Sequence, residues 1–267
     1  IHPGLPDMKD PVKVEACRKL VAAAHKHGVK VILGGSVIYM KFDILKEHPD
    51  WRVHWVDDPK LVESAPGEEH PQIRACINSP YGDYFIDEMV KAAKELNSDG
   101  ASFDGYHIEL CYCKYCKENY RKATGCEIPT DVVVTGRTDC GDLKVAGNAS
   151  KKLDLQNPEF VRYFRWREQA LLDHFTRFRA AMRKVNPDFA FISWSINAGR
   201  WGHLSGVPRY MPFSMNALFD CPMQEWWMDE TNRGGSVTPA AFGARLIRAS
   251  VRERPSVCNP YDFTHWE

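Results

Sequence analysis

The sequence lacks an excess of either charge: lysine plus arginine and aspartate plus glutamate both total 35, so the formal net charge is zero. A surface built to hold nucleic acid or an anionic membrane carries a basic surplus, and none exists here. Any apolar run approaching the length of a membrane span is also missing. No glycine-rich phosphate loop follows a predicted strand, because Gly34-Gly35 has no third glycine at the spacing of a dinucleotide turn. Low-complexity tracts and sequence repeats are absent. Neither an initiating methionine nor a signal segment stands at Ile1, and the chain stops after "DFTHWE". We therefore expect a piece, or a processed product, of a longer soluble protein, with both the cytoplasm and the secreted route open as its compartment.

What is present is a large apolar inventory. Hydrophobic residues make up 44% of 267 positions, enough for one domain with a substantial core. Eight tryptophans contribute to an aromatic content of 12%. Such rings fill cores, and their flat faces also stack on sugars. Nine cysteines are an odd number, so they cannot all pair in internal disulfides.

Helix and strand signals alternate along the chain. "DPVKVEACRKLVAAAHKHG" reads as a helix, capped by Asp10, with Pro11 in its first turn and Gly28 at its end. Val12, Ala16, Leu20, Val21 and Ala24 are expected to form its buried face. "VKVILGGSVIY" then reads as a buried strand. "YGDYFIDEMVKAAKELNSDG" and "GASFDGYHI" repeat the pair, with Ser79 as cap and Pro80 opening the helix. A long helix is predicted from about Pro158 to Val185, followed by a strand in "DFAFISWSI". A fourth strand is expected in "NALFDCPMQEW", a helix in "TPAAFGARLIRASVRER", and a fifth strand in "SVCNPYDF".

This rhythm predicts an α/β fold with parallel strands. Two polar excursions, at about 41–74 and 126–157, follow strand ends. In a (β/α)8 TIM barrel those ends form the active-site face, and insertions there shape a pocket. We expect a single barrel-type domain over 1–267. It shows about five of eight units, with the first strands missing from this chain. The competing architecture is an open, doubly wound sheet.

The acids at predicted strand ends carry the chemistry. Asp104 closes "GASFD", Glu109 follows five residues later, Glu225 ends the fourth strand in "CPMQEWW", and Asp262 leaves the last strand in "NPYDF". Carboxyl groups opening on one face amid tryptophans suit glycoside hydrolysis, which needs a nucleophile or base and a general acid. An aromatic wall raises a carboxyl pKa, so Glu225 beside Trp226 and Trp227 is the better proton donor. Asp104, on a glycine-flanked strand end, is the better nucleophile. Glu109 and Asp262 are kept in reserve. His48, Trp51, Asn197, Trp226, Asp262 and His265 are candidate contacts to a carbohydrate substrate. No cofactor is expected for catalysis, no nucleic-acid or membrane partner is foreseen, and monomer and homo-oligomer both stay open.

Cys111, Cys113 and Cys116 form C-x-C-x2-C, a spacing that suits a closed structural zinc site. Cys126 is the expected fourth ligand, with Cys140 and His107 as alternatives. A catalytic zinc, a redox pair at Cys113 and Cys116, and a group of metal-free thiols are the other readings.

"VEACRKLVAAAHKHGVKVILGGS", "HPDW", "CINSPYGDYFIDEMVKAAKELNSDGASFDG" and "CYCKYC" together resemble the hypothetical glycosyl hydrolases with TIM barrels, relatives of the α-L-fucosidases. The likeness extends over roughly residues 2–125. In α-L-fucosidases the strand-four motif ends in phenylalanine-aspartate-glycine, whose aspartate is the nucleophile. Here it reads Phe103-Asp104-Gly105, so the resemblance implies that role for Asp104. It also implies two barrel strands before Ile1 and an eighth after Glu267. The cysteine cluster is similar to that of β-galactosidases with a trimerisation domain and a structural zinc. There an asparagine-glutamate pair supplies the acid/base and a later glutamate the nucleophile. This sequence has Ile108-Glu109 instead, and on that branch Glu225 becomes the nucleophile.

Overall fold

The computed structural model describes residues 4–37, 42–54, 75–104, 111–130, 156–196, 213–227, 245, 248–249, 251 and 257–261. Their elements are α1 (Pro11–Lys26), β1 (Ile32–Ser36), α2 (Phe42–Glu47), a 3-10 turn (Pro49–Trp51), α3 (Tyr81–Leu96), β2 (Gly100–Asp104) and α4 (Lys114–Thr124). Then come α5 (Pro158–Val185), β3 (Ala190–Ile196), α6 (Phe213–Asn216), β4 (Cys221–Trp227) and β5 (Val257–Tyr261). The helix expected in 238–254 lies largely outside the described residues, as does most of both long excursions.

All five strands form one parallel sheet in the order β1-β2-β3-β4-β5. A doubly wound sheet reverses its strand order at a switch point, and this order has no reversal. Gly4 also makes a parallel bridge to Gly34, and Leu5 N–H donates to the Gly34 carbonyl at 2.7 Å. The sheet therefore continues beyond β1.

Three of the long helices begin at capping side chains. The Asp10 carboxylate accepts from the Val12 and Lys13 amides at 3.0 and 3.2 Å. Asn157 Oδ1 does the same for Glu159 and Phe160. Ser79 Oγ accepts from Tyr81 N–H at 3.2 Å and donates to the Cys76 carbonyl at 2.7 Å. Pro80 has helical backbone angles, so the expected serine cap and proline entry are both present. Gly28 and Gly125 adopt positive φ after α1 and α4, where glycine carries no Cβ penalty.

Two expectations are corrected. The buried stripe of α1 is Val14, Cys17, Val21 and Ala24, whereas Val12 is 76% and Leu20 39% exposed. The helix turns toward Val31, Leu33, Ala92 and Leu96, with which those four residues cluster. The fourth strand starts only at Cys221. Phe213–Asn216 is a helical turn, and Asp220 ends the connection. Asp220 Oδ2 accepts from Phe191 N–H at 2.9 Å, and Oδ1 accepts from Arg179 and Arg183 at 3.1 and 2.9 Å. That carboxylate fastens α5 to the strand entries.

The core lies between the sheet and the helix layer. Phe103 packs edge-on against Phe85 of α3 and Phe178 of α5, with centroids at 5.8 and 5.2 Å. Phe191 meets Phe175 and Phe178 at 5.6 and 5.5 Å. Ala101 and Phe103 thus face the helices, and strand alternation assigns positions 100, 102 and 104 to the opposite face. Gly100 is needed on that face, because a Cβ there would lie 2.5 Å from the Ala190 carbonyl.

Candidate functional site

The strand ends come first. Asp104 is the last residue of β2, paired in register with Trp194 of β3, which pairs with Met223 of β4. Glu225 lies two residues beyond Met223, paired with Ile196 and Asn259, and Trp226 follows it in β4. The two acids therefore occupy the C-terminal ends of β2 and β4, separated by β3. Glu109, Asn197, Asp262 and His265 lie outside the described residues.

His48 precedes the 3-10 turn and Trp51 ends it. Their rings stack at 3.8 Å between centroids with an interplanar angle of 4°. Trp51 also packs against Tyr81 and Tyr84 at 6.5 and 5.9 Å, so the half-buried indole is anchored to the start of α3. Asp50 between them accepts from Tyr115 Oη at 2.6 Å and pairs with Lys114 Nζ at 2.8 Å. The Lys114 ammonium first, then the tyrosine hydroxyl, hold the Asp50 carboxyl down at about 2. The turn is thereby bound to the first turn of α4.

The same first turn carries Cys116, one member of a thiol cluster. Cys76, Cys111, Cys113 and Cys116 are all buried, and their sulfurs lie within 4.8 Å of one another. Cys76 Sγ is 3.4 Å from Cys116 Sγ and 3.8 Å from Cys113 Sγ. A tetrahedral zinc with sulfur at about 2.3 Å sets neighbouring sulfurs about 3.8 Å apart, so the set fits one ion with modest closure. All four are free thiols. Hydrogen bonds from Cys111, Cys113 and Cys116 hold the Cys76 thiol well below its ordinary value, while burial pushes Cys111 and Cys116 up. These residues could hold a metal ion, and four protein ligands would leave no position for a reacting water.

Backbone donors and an aromatic shell complete the surroundings. His54 N–H points to Cys111 Sγ at 3.4 Å, and Asn78 Nδ2 to Cys116 Sγ at 3.6 Å. Arg167 Nη1 of α5 donates to Cys116 Sγ at 3.3 Å. Cys76 N–H donates to the Trp51 carbonyl at 2.8 Å, and Tyr112 N–H to the His54 carbonyl at 2.7 Å. Val53, Tyr120, Ile128, Phe160 and Tyr163 pack around the sulfurs, and Tyr163 Oη donates to the Cys111 carbonyl at 2.7 Å.

The expected fourth ligand, Cys126, is not in this group; Cys76 holds the place. Cys113 and Cys116 sit at the start of α4, whereas Cys126 lies beyond its end. Eleven helical residues at 1.5 Å each carry the chain about 16 Å away. Cys126 Sγ donates instead to the Thr124 carbonyl at 3.6 Å and accepts from Arg162 Nη1 at 3.4 Å. Cys76 lies 35 positions upstream of Cys111. Its only sequence signal is a cysteine placed directly before the helix entry at Ser79-Pro80. Cys140 and His107 lie outside the described residues.

Residues 6–104 match the family model described as hypothetical glycosyl hydrolase 6. No curated protein matches the sequence. Solved structures with a similar fold include a β-galactosidase from the psychrophilic Marinomonas ef1. It is 14% identical with a TM-score of 0.59, covering 92% of this chain and 40% of that one. A cycloisomaltooligosaccharide glucanotransferase from Paenibacillus sp. is 9% identical with a TM-score of 0.58, covering 93% of this chain and 29% of that one. An α-L-fucosidase, isoenzyme 2 from Paenibacillus thiaminolyticus, is 19% identical with a TM-score of 0.47, covering 90% of this chain and 35% of that one. The chain spans two-fifths or less of the length of each. No helix of the described residues is long and apolar enough to cross a membrane. The resemblance read from the sequence is therefore shown: residues 6–104 match a hypothetical glycosyl hydrolase family, and the parallel α/β fold is shared with enzymes acting on sugars.

Proposed function

We propose that this chain is the central part of a (β/α)8 barrel that hydrolyses a terminal glycosidic bond with retention, in the manner of α-L-fucosidases. Asp104 is the nucleophile and Glu225 the general acid/base. The observation that carries this reading is the register. Asp104 and Glu225 stand at the C-terminal ends of strands in one parallel sheet, two strands apart and offset by two residues. An even offset is the one that lets two positions share a face of a pleated sheet. Two strand spacings and two residues of rise separate the Cα positions by about 12 Å. In a closed barrel that face curves inward, which draws the two positions toward the 5–5.5 Å of a retaining pair.

In the first step Glu225 protonates the leaving oxygen while Asp104 attacks the anomeric carbon, forming a glycosyl-enzyme ester. Glu225, now ionised, then takes a proton from water as it cleaves that ester. Trp51 and His48 supply apolar and hydrogen-bonding contact to the sugar.

The four thiols hold a structural zinc in this reading. Their spacing and burial suit it, and the metal would tie Cys76, whose N–H bonds the Trp51 carbonyl, to Cys111, Cys113 and the first turn of α4. Bound zinc supplies cross-linking stability, and no catalytic step passes through it. The test is a screen of nitrophenyl glycosides with the full-length protein and its Asp104→Asn variant. At least one glycoside turns over in the wild type, and the variant loses that activity with an unchanged melting curve. Full activity in the variant rejects the assignment.

The thiol cluster and the Marinomonas fold also support a β-galactosidase-like reading. Glu225 then becomes the nucleophile, and β-galactosides become the substrates. A barrel that binds carbohydrate without cleaving it is the outcome if no glycoside turns over while sugars still bind.

A further inference from the structure

Arg167 lies at the middle of α5 and is 3% exposed. Its Nη1 donates to Cys116 Sγ at 3.3 Å, and its guanidinium carbon lies 5.8 Å from the centre of the Trp166 ring. A guanidinium removed from water is costly unless an anion stands beside it. The group beside this one is a set of four sulfurs. Four thiolates around a divalent cation carry a net charge of minus two, which is equally costly to bury. Arg167 reduces that to minus one. Cys116 is the sulfur that receives both Arg167 and Asn78, so the guanidinium acts on the cluster through it.

We propose that Arg167 is a positioning residue for the metal site, whose buried positive charge sets how tightly the four thiolates hold a divalent cation. This rests on the reading of those thiols as a metal site. The relation is reciprocal: the loaded cluster would offset part of the cost of burying a guanidinium in the interior of α5. Metal loading therefore links α4, which carries Cys116, to α5, which carries Arg167.

The experiment uses the full-length protein, with Arg167→Gln and Arg167→Lys. Zinc content after purification is measured first. Zinc transfer to a chromogenic chelator is then timed, and the absorption of the cobalt-substituted proteins is recorded. Loss of an outer-shell partner typically weakens metal binding by about ten- to a hundredfold, so zinc should leave the glutamine variant about that much faster. The lysine variant, which keeps the charge, should stay close to wild type. Sulfur electrons no longer held by a positive charge move to the metal at lower energy. The sulfur-to-cobalt band should therefore shift to longer wavelength with glutamine and stay in place with lysine. Equal release rates and band positions in the glutamine variant and wild type would overturn the proposal while leaving the metal site standing. Failure of the wild type to take up zinc or cobalt would remove the metal site itself and this proposal with it. If the glutamine variant does not fold, the lysine variant decides. A wild-type release rate supports charge as the operative property, and a tenfold rise overturns it.

Discussion

His174 offers a quantitative test of the packing between α3 and α5. Its side chain is buried, and Nε2–H donates to the Gly82 carbonyl at 3.0 Å. Burial is the largest influence, holding the imidazole down at about 4 from an ordinary 6.5; Arg177 acts in the same direction, while the Gly82 carbonyl, Asp83 and Cys76 oppose it. The folded pKa is depressed, so as pH falls the unfolded chain binds this proton first. Stability is therefore unaffected above the unfolded value and is lost as pH falls from about 6.5 toward 4. Two and a half units correspond to a limiting loss of about 3 kcal/mol, of which about 2 kcal/mol is reached by about pH 5. The assay is urea unfolding of wild type and His174→Gln at about pH 7.5 and pH 5. Glutamine keeps an N–H donor for the Gly82 carbonyl but does not titrate. Other groups, the thiols included, contribute to both proteins and cancel in the comparison. The fall in stability between the two pH values should be smaller in the variant by about 2 kcal/mol. Equal losses in both would mean that His174 is not held neutral in the interior and that the α3–α5 contact is not as described.

Gly82→Ala should destabilise the fold by about 3 kcal/mol or more, because its Cβ would lie 2.2 Å from the Ile77 carbonyl and 3.1 Å from His174 Cδ2; calorimetry or urea unfolding reads this directly. Cys76→Ser should lower zinc content and the melting temperature, whereas Cys126→Ser should change neither beyond experimental scatter, as metal analysis and thermal scans would show. Asp10→Ala removes a cap that accepts from two amides, and should cost about 1 kcal/mol in urea unfolding.

Much of the fold was legible in local signals. The 28-residue α5 has an asparagine cap, a proline in its first turn and apolar positions at helical spacing, and its bounds were readable from those features alone. β1, β2 and β3 followed from short β-rich runs after helix ends. The buried face of α1 was not legible, because its short apolar side chains permit more than one stripe, and neighbours distant in sequence choose between them. β4 was drawn too long because Ala217, Leu218 and Phe219 look strand-like, yet Leu218 and Phe219 pack from a turn that Asp220 terminates. In the thiol cluster, spacing revealed the three cysteines joined by one short segment. The fourth arrives through the return of α3 and β2, a tertiary event that no local pattern encodes. The strand-end acids were legible as positions. That only β3 separates their strands follows from the strand order, which the assembled sheet supplies.

The most direct test of the catalytic assignment is covalent trapping. The full-length protein would be incubated with an activated 2-deoxy-2-fluoro glycoside of the sugar selected by the nitrophenyl screen, digested and mapped by mass spectrometry. A fluorosugar ester on Asp104 is the predicted result. An ester on Glu225 would contradict the assignment of Asp104 and transfer the nucleophile to β4.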